Sequence, residues 1–504
     1  MKRPVAIAAA VALAAIAGWS GLWFAGRGAV ADRLDREIAQ LRAQGFEATY
    51  DARAIGGFPF GYRVTHRGVT VSDPASGAVY RLPEVTTEVT AADVDRLVTR
   101  FPAKYRIELP LDQARRANWP GMPEVLAIDV ESSDLVLISD GVPGAGQEIA
   151  ITAASMLVVT GSPEQPLNFA FEFTALDARS TLPARSSGLP ATGATTLGRL
   201  DYAYTRTTPD GVAATIEASI DNLRVTAKSD VRDRAGLLAL LAGGSGASSM
   251  TYQTGASQGV VRAASEPAQP DGTLDFSAGS TAGTLSIADG RFEIATASTA
   301  NRLTLTGAAG PDTPPGKLFG GELRAIEMQI TGPFAPSDAM TPAAFRLALD
   351  QLVPDAAFWQ LIDAGGKLPH DPARLVIDLA GSARITRDMS DLRSGEAPPV
   401  ELGNLSIRAA EITALGASAA SRGDVEFLQP LNLPIGTVIV TLTRTEELMA
   451  RLADAGLIDP ATAQTVMLMA TGFTTPGTEP GQRVSEVVMT LDGVTVNGQP
   501  IGGN

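Results

Sequence analysis

The sequence predicts a β-dominated α+β fold built from antiparallel sheets behind one N-terminal transmembrane helix. Three observations carry this expectation. An uncharged run opens the chain, alternation of apolar and polar residues dominates the rest, and turn-forming residues are abundant, with 51 Gly and 33 Pro among 504 residues. Hydrophobic residues make up 45% of the chain but aromatics only 5%, so the apolar mass is Ala, Val, Leu and Ile interrupted by turns. That balance favours many short strands over a helical bundle. At this length two or more lobes, or one elongated repetitive body, are expected.

The anchor comes first. After Met1-Lys2-Arg3, the stretch from Pro4 to Ala25 reads PVAIAAAVALAAIAGWSGLWFA and carries no charge. At 1.5 Å per residue its roughly 22 residues span about 33 Å, enough to cross a bilayer. Lys2 and Arg3 hold the start in the cytoplasm, and Trp19, Trp23 and Phe24 fall near the far interface. Residues 1–27 are therefore expected to be a cytoplasmic start and a single-pass inner-membrane anchor, with the bulk of the chain in the periplasm. The small residues of GAVA before Asp32 keep open a cleaved signal peptide and secretion to the periplasm. In 28–45, Leu34, Ile38 and Leu41 recur at helical spacing and the pattern stops at Gly45, which predicts an amphipathic helix. Its Arg33, Arg36 and Arg42 are balanced by Asp32, Asp35 and Glu37, so the stripe is expected to pack on the first sheet and not on anionic lipid.

From there the period becomes two. KYRIELP alternates Tyr105, Ile107 and Leu109 with charged residues, and LNFAFEFT alternates Leu167, Phe169, Phe171 and Phe173 with Asn168, Ala170, Glu172 and Thr174. The pattern returns at Leu126-Ile128-Val130, Ile326-Met328-Ile330, Leu375-Ile377-Leu379 and Val438-Val440-Leu442, giving sheets with one apolar and one wet face. Asp289-Gly290 and Asp492-Gly493 sit between alternating runs and predict hairpin turns. Helices are expected at 93–100, 232–241 and 343–363, and as a hairpin near 444–470. A Gly/Ser/Ala-rich segment at 242–283 is read as the boundary between an N-terminal β-rich lobe, 46–241, and a C-terminal one, 284–504.

AIGGFPFGYRV, at 54–64, interrupts this alternation. Pro59 cannot donate to a ladder and biases Phe58 toward extended geometry, so Gly56, Gly57, Phe58, Pro59 and Phe60 are read as a structural corner. A ligand-cradling loop would place glycine amides at a helix start, and here a strand follows.

Several spellings of catalytic motifs fail on context. GASQG around Ser257 lacks the strand-turn-helix setting of a nucleophile elbow. His66 falls in a strand pattern and His370 in an LPHDP turn. GPDTPPGKL has one residue too many for a phosphate loop and Leu318 where a hydroxyl belongs. Asp93-Val94-Asp95 is read as acids in a first helical turn and not as a metal site. With zero cysteines, thiolate nucleophiles, disulfides and cysteine-bound metals are excluded, and a formal charge of −15 disfavours nucleic acid as a partner. No catalytic residue, cofactor or metal ligand is predicted.

The cationic start with GWSGLWF, the charged helix after it, GGFPFGYRV, LPHDPARLVIDLAGSARI, PLNLPIGTVIVTLTRTEELMARL and LDGVTVNGQPIG resemble the uncharacterised alphaproteobacterial membrane-anchored family DUF2125. More distantly, a strand-rich body on one anchor is similar to the AsmA-like proteins, a resemblance that implies elongated, curved sheets and a role in envelope lipid homeostasis. The function expected is that of a non-enzymatic envelope protein, with Leu167, Phe169, Phe171 and Phe173 as an apolar ligand face for lipid or an envelope protein. An assembly scaffold with a filled core is the alternative; a periplasmic hydrolase using Ser257 with a histidine is a second.

Overall fold

Helix α1 runs unbroken from Arg3 to Ala43, so the expected anchor and the expected amphipathic helix are one element. Ala, Leu, Arg, Glu and Gln are strong helix formers, and Gly18, Gly21, Gly26 and Gly28 do not outweigh them. The helix stops at Gly45, whose φ of +93° suits only glycine, with the Phe46 amide reaching back to the Leu41 carbonyl at 3.1 Å. The computed structural model describes residues 3–90, 93–111, 122–142, 144–160, 167–208, 211–231, 236, 240, 246–263, 272–307, 316–387, 399–429 and 432–501. The side chains of 3–18, 21, 94, 167, 185, 208 and 211–213 lie outside that description. Most of the expected anchor at 4–25 therefore lies outside the described side chains. Among the described residues no helix is long and apolar enough to cross a membrane.

The chain divides into two units, Met1–Arg234 and Ala235–Asn504. Among the described residues the first holds α1 and twelve antiparallel strands. They are β1 (Glu47–Thr49), β2 (Ala52–Gly56), β3 (Gly61–Asp73), β4 (Ala78–Thr90), β5 (Asp93–Arg100), β6 (Lys104–Pro110), β7 (Val125–Ser133), β8 (Val136–Val142), β9 (Gly146–Thr160), β10 (Leu167–Leu182), β11 (Ala191–Thr208) and β12 (Gly211–Ser229). β3 to β4 and β9 through β12 pair in sequence order. Between them β5 with β8, and β6 with β7, form two short side-by-side ladders that bridge β4 to β9.

The second unit continues with β13 (Ala247–Thr254), β14 (Ser257–Ala263), β15 (Gly272–Ala278), β16 (Ser280–Ala288), β17 (Arg291–Gly307), β18 (Gly316–Pro333) and β19 (Thr341–Pro354). After the short helix α2 (Ala356–Ile362) come β20 (Ala373–Ile385), β21 (Val400–Ala414), β22 (Ala417–Leu428) and β23 (Leu433–Thr443). The helix pair α3 (Thr445–Asp454) and α4 (Pro460–Phe473) lies near 444–470, as expected. Four short strands, β24 (Thr475–Pro476), β25 (Gln482–Thr490), β26 (Gly493–Val496) and β27 (Gln499–Ile501), close the chain. β17 to β23 pair in order, and β25 adds to β23.

Several expectations change. Residues 93–100 form strand β5, not a helix, paired to β4 on one side and β8 on the other, and Asp93 accepts from the Asp95 amide at 3.2 Å in a local turn. Residues 343–354 are strand β19, and only 356–362 are helical. In both, ladders on two sides outweigh the helical propensity of the Ala, Leu and Arg they contain. The expected helix at 232–241 falls outside the described residues apart from 236 and 240. The units divide at Arg234/Ala235 and not within 242–283, the expected boundary segment, whose described residues form β13, β14, β15 and the start of β16 of the second unit. Asp289-Gly290 is the expected primed turn, with φ of 49° and 71° between Ala288 and Arg291. The last hairpin turns one residue early, at Leu491-Asp492, because Thr490 pairs with Gly493.

Candidate functional site

Backbone register shows which side chains share a face, since directly opposed residues point the same way. In the first unit Tyr105, Val130, Val158, Phe171, Tyr202 and Ala218 form one row across β6, β7, β9, β10, β11 and β12. Phe171 is tilted on Tyr202 with centroids 4.9 Å apart, and Phe169 and Phe173 lie on either side of it at 5.5 and 6.3 Å. All three Phe side chains are half-buried. Leu167 begins β10, and its side chain is outside the description.

The second unit repeats the arrangement. Met250, Leu285, Ile294, Ile330, Phe345, Leu379 and Ile407 face one another in turn across seven strands, and every one is half-buried. A parallel row, Ile326, Leu349 and Leu375, ends on Ile412, which is 50% exposed. The opposite faces carry paired charge. Arg63 meets Glu88 at 2.9 Å, Lys104 meets Glu131 at 2.5 Å and Arg346 meets Asp378 at 3.0 Å across neighbouring strands.

The same molecule contains a control. Where α1 covers the start of the first sheet, Val64 is 0% exposed, Val89 3% and Leu97 4%, packed with Trp23, Val30, Leu34 and Tyr62. A sheet face under a packed layer therefore loses nearly all its exposure, as Val130 of the first-unit row also does at 2%, whereas the Phe169, Phe171 and Phe173 side chains and the row from Met250 to Ile407 stay half-buried. The sequence shows alternation at both places and does not distinguish them.

At the corner, β2 and β3 pair as far as Gly56 opposite Arg63, and residues 57–60 form the hairpin tip. Gly57 has φ of +102°, and a Cβ there would meet the Arg63 amide nitrogen at 2.8 Å, whereas Gly56 has open space. The Phe58-Pro59 peptide is cis. Two tryptophans of α1 grip the tip: Trp19 Nε1 donates to the Pro59 carbonyl at 2.7 Å and Trp23 Nε1 to the Gly61 carbonyl at 2.8 Å. Trp23 is thus a core residue of the first unit, a packing role that the sequence reading did not assign to it. Its spacing of four from Trp19 was the available signal.

Arg33, counted in the sequence among balanced surface charges, is 1% exposed. Its Nη2 donates to the Gly141 carbonyl at 2.6 Å and its Nη1 lies 2.6 Å from Glu37 Oε1. Beside it on α1, Asp35 binds Arg53 of β2 at 2.7 Å. Arg53 Nε in turn donates to His66 Nε2 at 2.9 Å, under the ring of Tyr50. The hydrogen bond from Arg53 holds the Asp35 carboxyl below its ordinary range, and burial, with the Arg53 charge next, lowers the His66 imidazole. An imidazole that accepts at Nε2 beside a guanidinium stays neutral.

His370 stacks on Trp359 at 3.9 Å, its Nε2 3.5 Å from Asp363. Asp363 caps the turn after α2, accepting from the Leu368 and Lys367 amides, which lower its carboxyl. Ser257 opens β14 in a strand-turn-strand setting, without the helix that a nucleophile elbow requires. Lys317 pairs with Asp355, the N-cap of α2, while the preceding part of GPDTPPGKL lies outside the described residues. Among the described residues no group of three or more His, Cys, Asp and Glu is arranged to hold a metal.

The matched family is now informative. The model of a family described as an uncharacterized protein conserved in bacteria, DUF2125, matches residues 23–229. Over residues 23–229 the chain is similar to DUF2125. The matched segment begins at Trp23, the residue clamped on the hairpin tip, and ends at Ser229 with β12, so it takes in every described strand of the first unit. The resembling stretches around 368–385, 430–452 and 491–502 lie beyond it. No curated protein and no solved structure matches the chain.

Proposed function

We propose that this chain is a non-enzymatic protein of the cell envelope, held in the inner membrane by residues 4–25, whose periplasmic sheets bind lipid acyl chains along their apolar faces. The observation that carries the reading is the row from Met250 to Ile407, seven apolar side chains across seven strands and none of them buried. Contiguous apolar surface of that extent is unfavourable in water and marks a surface that something apolar covers. Acyl chains fit such a lane because it offers no directional polar partner along its length. The uncharged run before Trp19 supports the tether, and the resemblance to AsmA-like proteins agrees with a lipid-facing sheet.

The test is a detergent-free preparation lacking residues 1–18, compared with its Phe171→Asp and Phe345→Asp variants. The parent is expected to yield phospholipid on extraction and mass spectrometry, and the variants to keep their circular-dichroism melts while losing lipid, because the carboxylate reaches water on an open face. A parent without lipid, together with variants that unfold, would establish the filled scaffold instead, since a buried unpaired carboxylate costs more than the about 3 to 5 kcal/mol of a Phe-to-Ala cavity.

A further inference from the structure

The hairpin tip that α1 grips is apolar and exposed. Phe60 is 81% exposed and Phe24 62%, with Phe58 and Trp19 also exposed beside them. Phe58 packs edge-on against Trp23 at 5.6 Å, and Phe24 does the same at 5.2 Å. Both indole N–H groups are satisfied by tip carbonyls, so the cluster presents ring surface with its donors already used. The guanidinium of Arg27 lies over the rings of Trp23 and Phe24 at 5.6 and 5.9 Å and borders the cluster on the side of the charged half of the helix.

Length decides what covers this cluster. Between the charged Lys2-Arg3 pair and Trp19, the first residue that α1 ties to the hairpin tip, the uncharged run is Pro4 to Gly18, and about 15 residues reach about 22 Å, short of the roughly 30 Å hydrocarbon core. Adding residues 19 to 24 brings the run to about 31 Å. A span of sufficient length therefore has to include the turn that carries Trp19 and Trp23. Pro59 and Gly61 are hydrogen-bonded to that turn, so the tip travels to the same depth. Aromatic rings followed by an arginine match the order of a membrane interface, apolar boundary first and headgroup phosphate next.

We infer that the Phe58-Pro59-Phe60 tip is a second membrane contact, seated in the outer boundary of the same bilayer that the helix crosses. This rests on the anchor reading above. With two points of attachment the first sheet meets the membrane in one orientation, its α1-covered end against the lipid.

The chain has no cysteine, so single labels are unambiguous. Full-length Phe60→Cys, Phe58→Cys, Ala10→Cys and Ala75→Cys proteins, each carrying an environment-sensitive fluorophore, are reconstituted in phosphatidylethanolamine–phosphatidylglycerol vesicles. Ala75 lies in the turn at the far end of β3 and serves as the aqueous reference. Labels at 58 and 60 are expected to shift to the blue, to be quenched by lipid spin-labelled near the headgroup, and to be shielded from iodide, with the reverse at 75. Lipid quenching at 10 with iodide quenching at 58 and 60 overturns the inference and leaves the anchor standing. Iodide quenching at all four positions overturns the anchor and the inference together. A blue shift at 60 without lipid quenching means that protein covers the tip, and also overturns it.

Discussion

Trp23 of α1 stacks on Tyr62 of β3 with ring centroids 5.4 Å apart and planes 15° from parallel, and each side chain bonds the other segment's backbone. Trp23 Nε1 donates to the Gly61 carbonyl at 2.8 Å, and Tyr62 Oη donates to the Trp23 carbonyl at 3.3 Å. Gly26, one turn on, allows this approach, since a Cβ there would collide with the Tyr62 hydroxyl. The end of an expected membrane anchor is in this way also part of the core of the first unit.

Removal of residues 1–18 is expected to leave that core intact, whereas removal of 1–27 takes Trp23 with it. The longer deletion, and Trp23→Ala alone, should destabilise the first unit by about 3 to 5 kcal/mol, the usual cost of deleting a buried large aromatic. Denaturant titration followed by circular dichroism measures it; equal midpoints for the two deletions would contradict the packing.

Gly57 and Gly56 are expected to behave differently on substitution. Gly57→Ala forces a left-handed residue against the Arg63 amide and the Gly61 carbonyl, and should cost about 1 to 3 kcal/mol. Gly56→Ala meets open space and should lie within about 0.5 kcal/mol of the parent. The comparison of melting curves separates a corner built on one glycine from one that needs both.

His66 makes the first unit acid-sensitive. Its folded-state affinity for a proton lies below the ordinary value of 6.5, so the unfolded chain binds the proton more readily. The stabilisation is complete above that value and is lost as pH falls from 6.5 through the lower, folded-state value. His66→Gln should flatten the dependence of the denaturation midpoint on pH in that window; an unchanged slope would show that the Arg53–His66 contact does not control it.

Buried and exposed arginines should differ in the same assay. Arg33→Ala removes the partner of Glu37 and of the Gly141 carbonyl in a buried site, an expected loss of about 3 to 5 kcal/mol. Arg63→Ala breaks only an exposed pair with Glu88, worth about 0.2 to 1 kcal/mol and reduced further by salt. Comparable losses for the two would mean that Arg33 is reachable by water.

Period-two patterning is local, and the sequence alone therefore determined the antiparallel strands at 104–110, 126–130, 167–174, 326–330, 375–379 and 438–442, each with one apolar and one wet face. The same locality made the Asp289-Gly290 turn and the α3–α4 pair legible, through positive φ in one and the Asp459 cap with Pro460 in the other. Where it failed, non-local bonds outweighed a local preference, as in β5 and β19, whose partners on both sides come from other parts of the chain. Burial was beyond its reach for the same reason. Val64 and Ile294 have the same alternating pattern, yet α1 covers the first and leaves it 0% exposed, while the second stays half-buried. The tertiary structure decided that Trp23 and Arg33 are core and that the Phe171 and Phe345 side chains stay half-buried, because covering a sheet depends on which distant element packs against it.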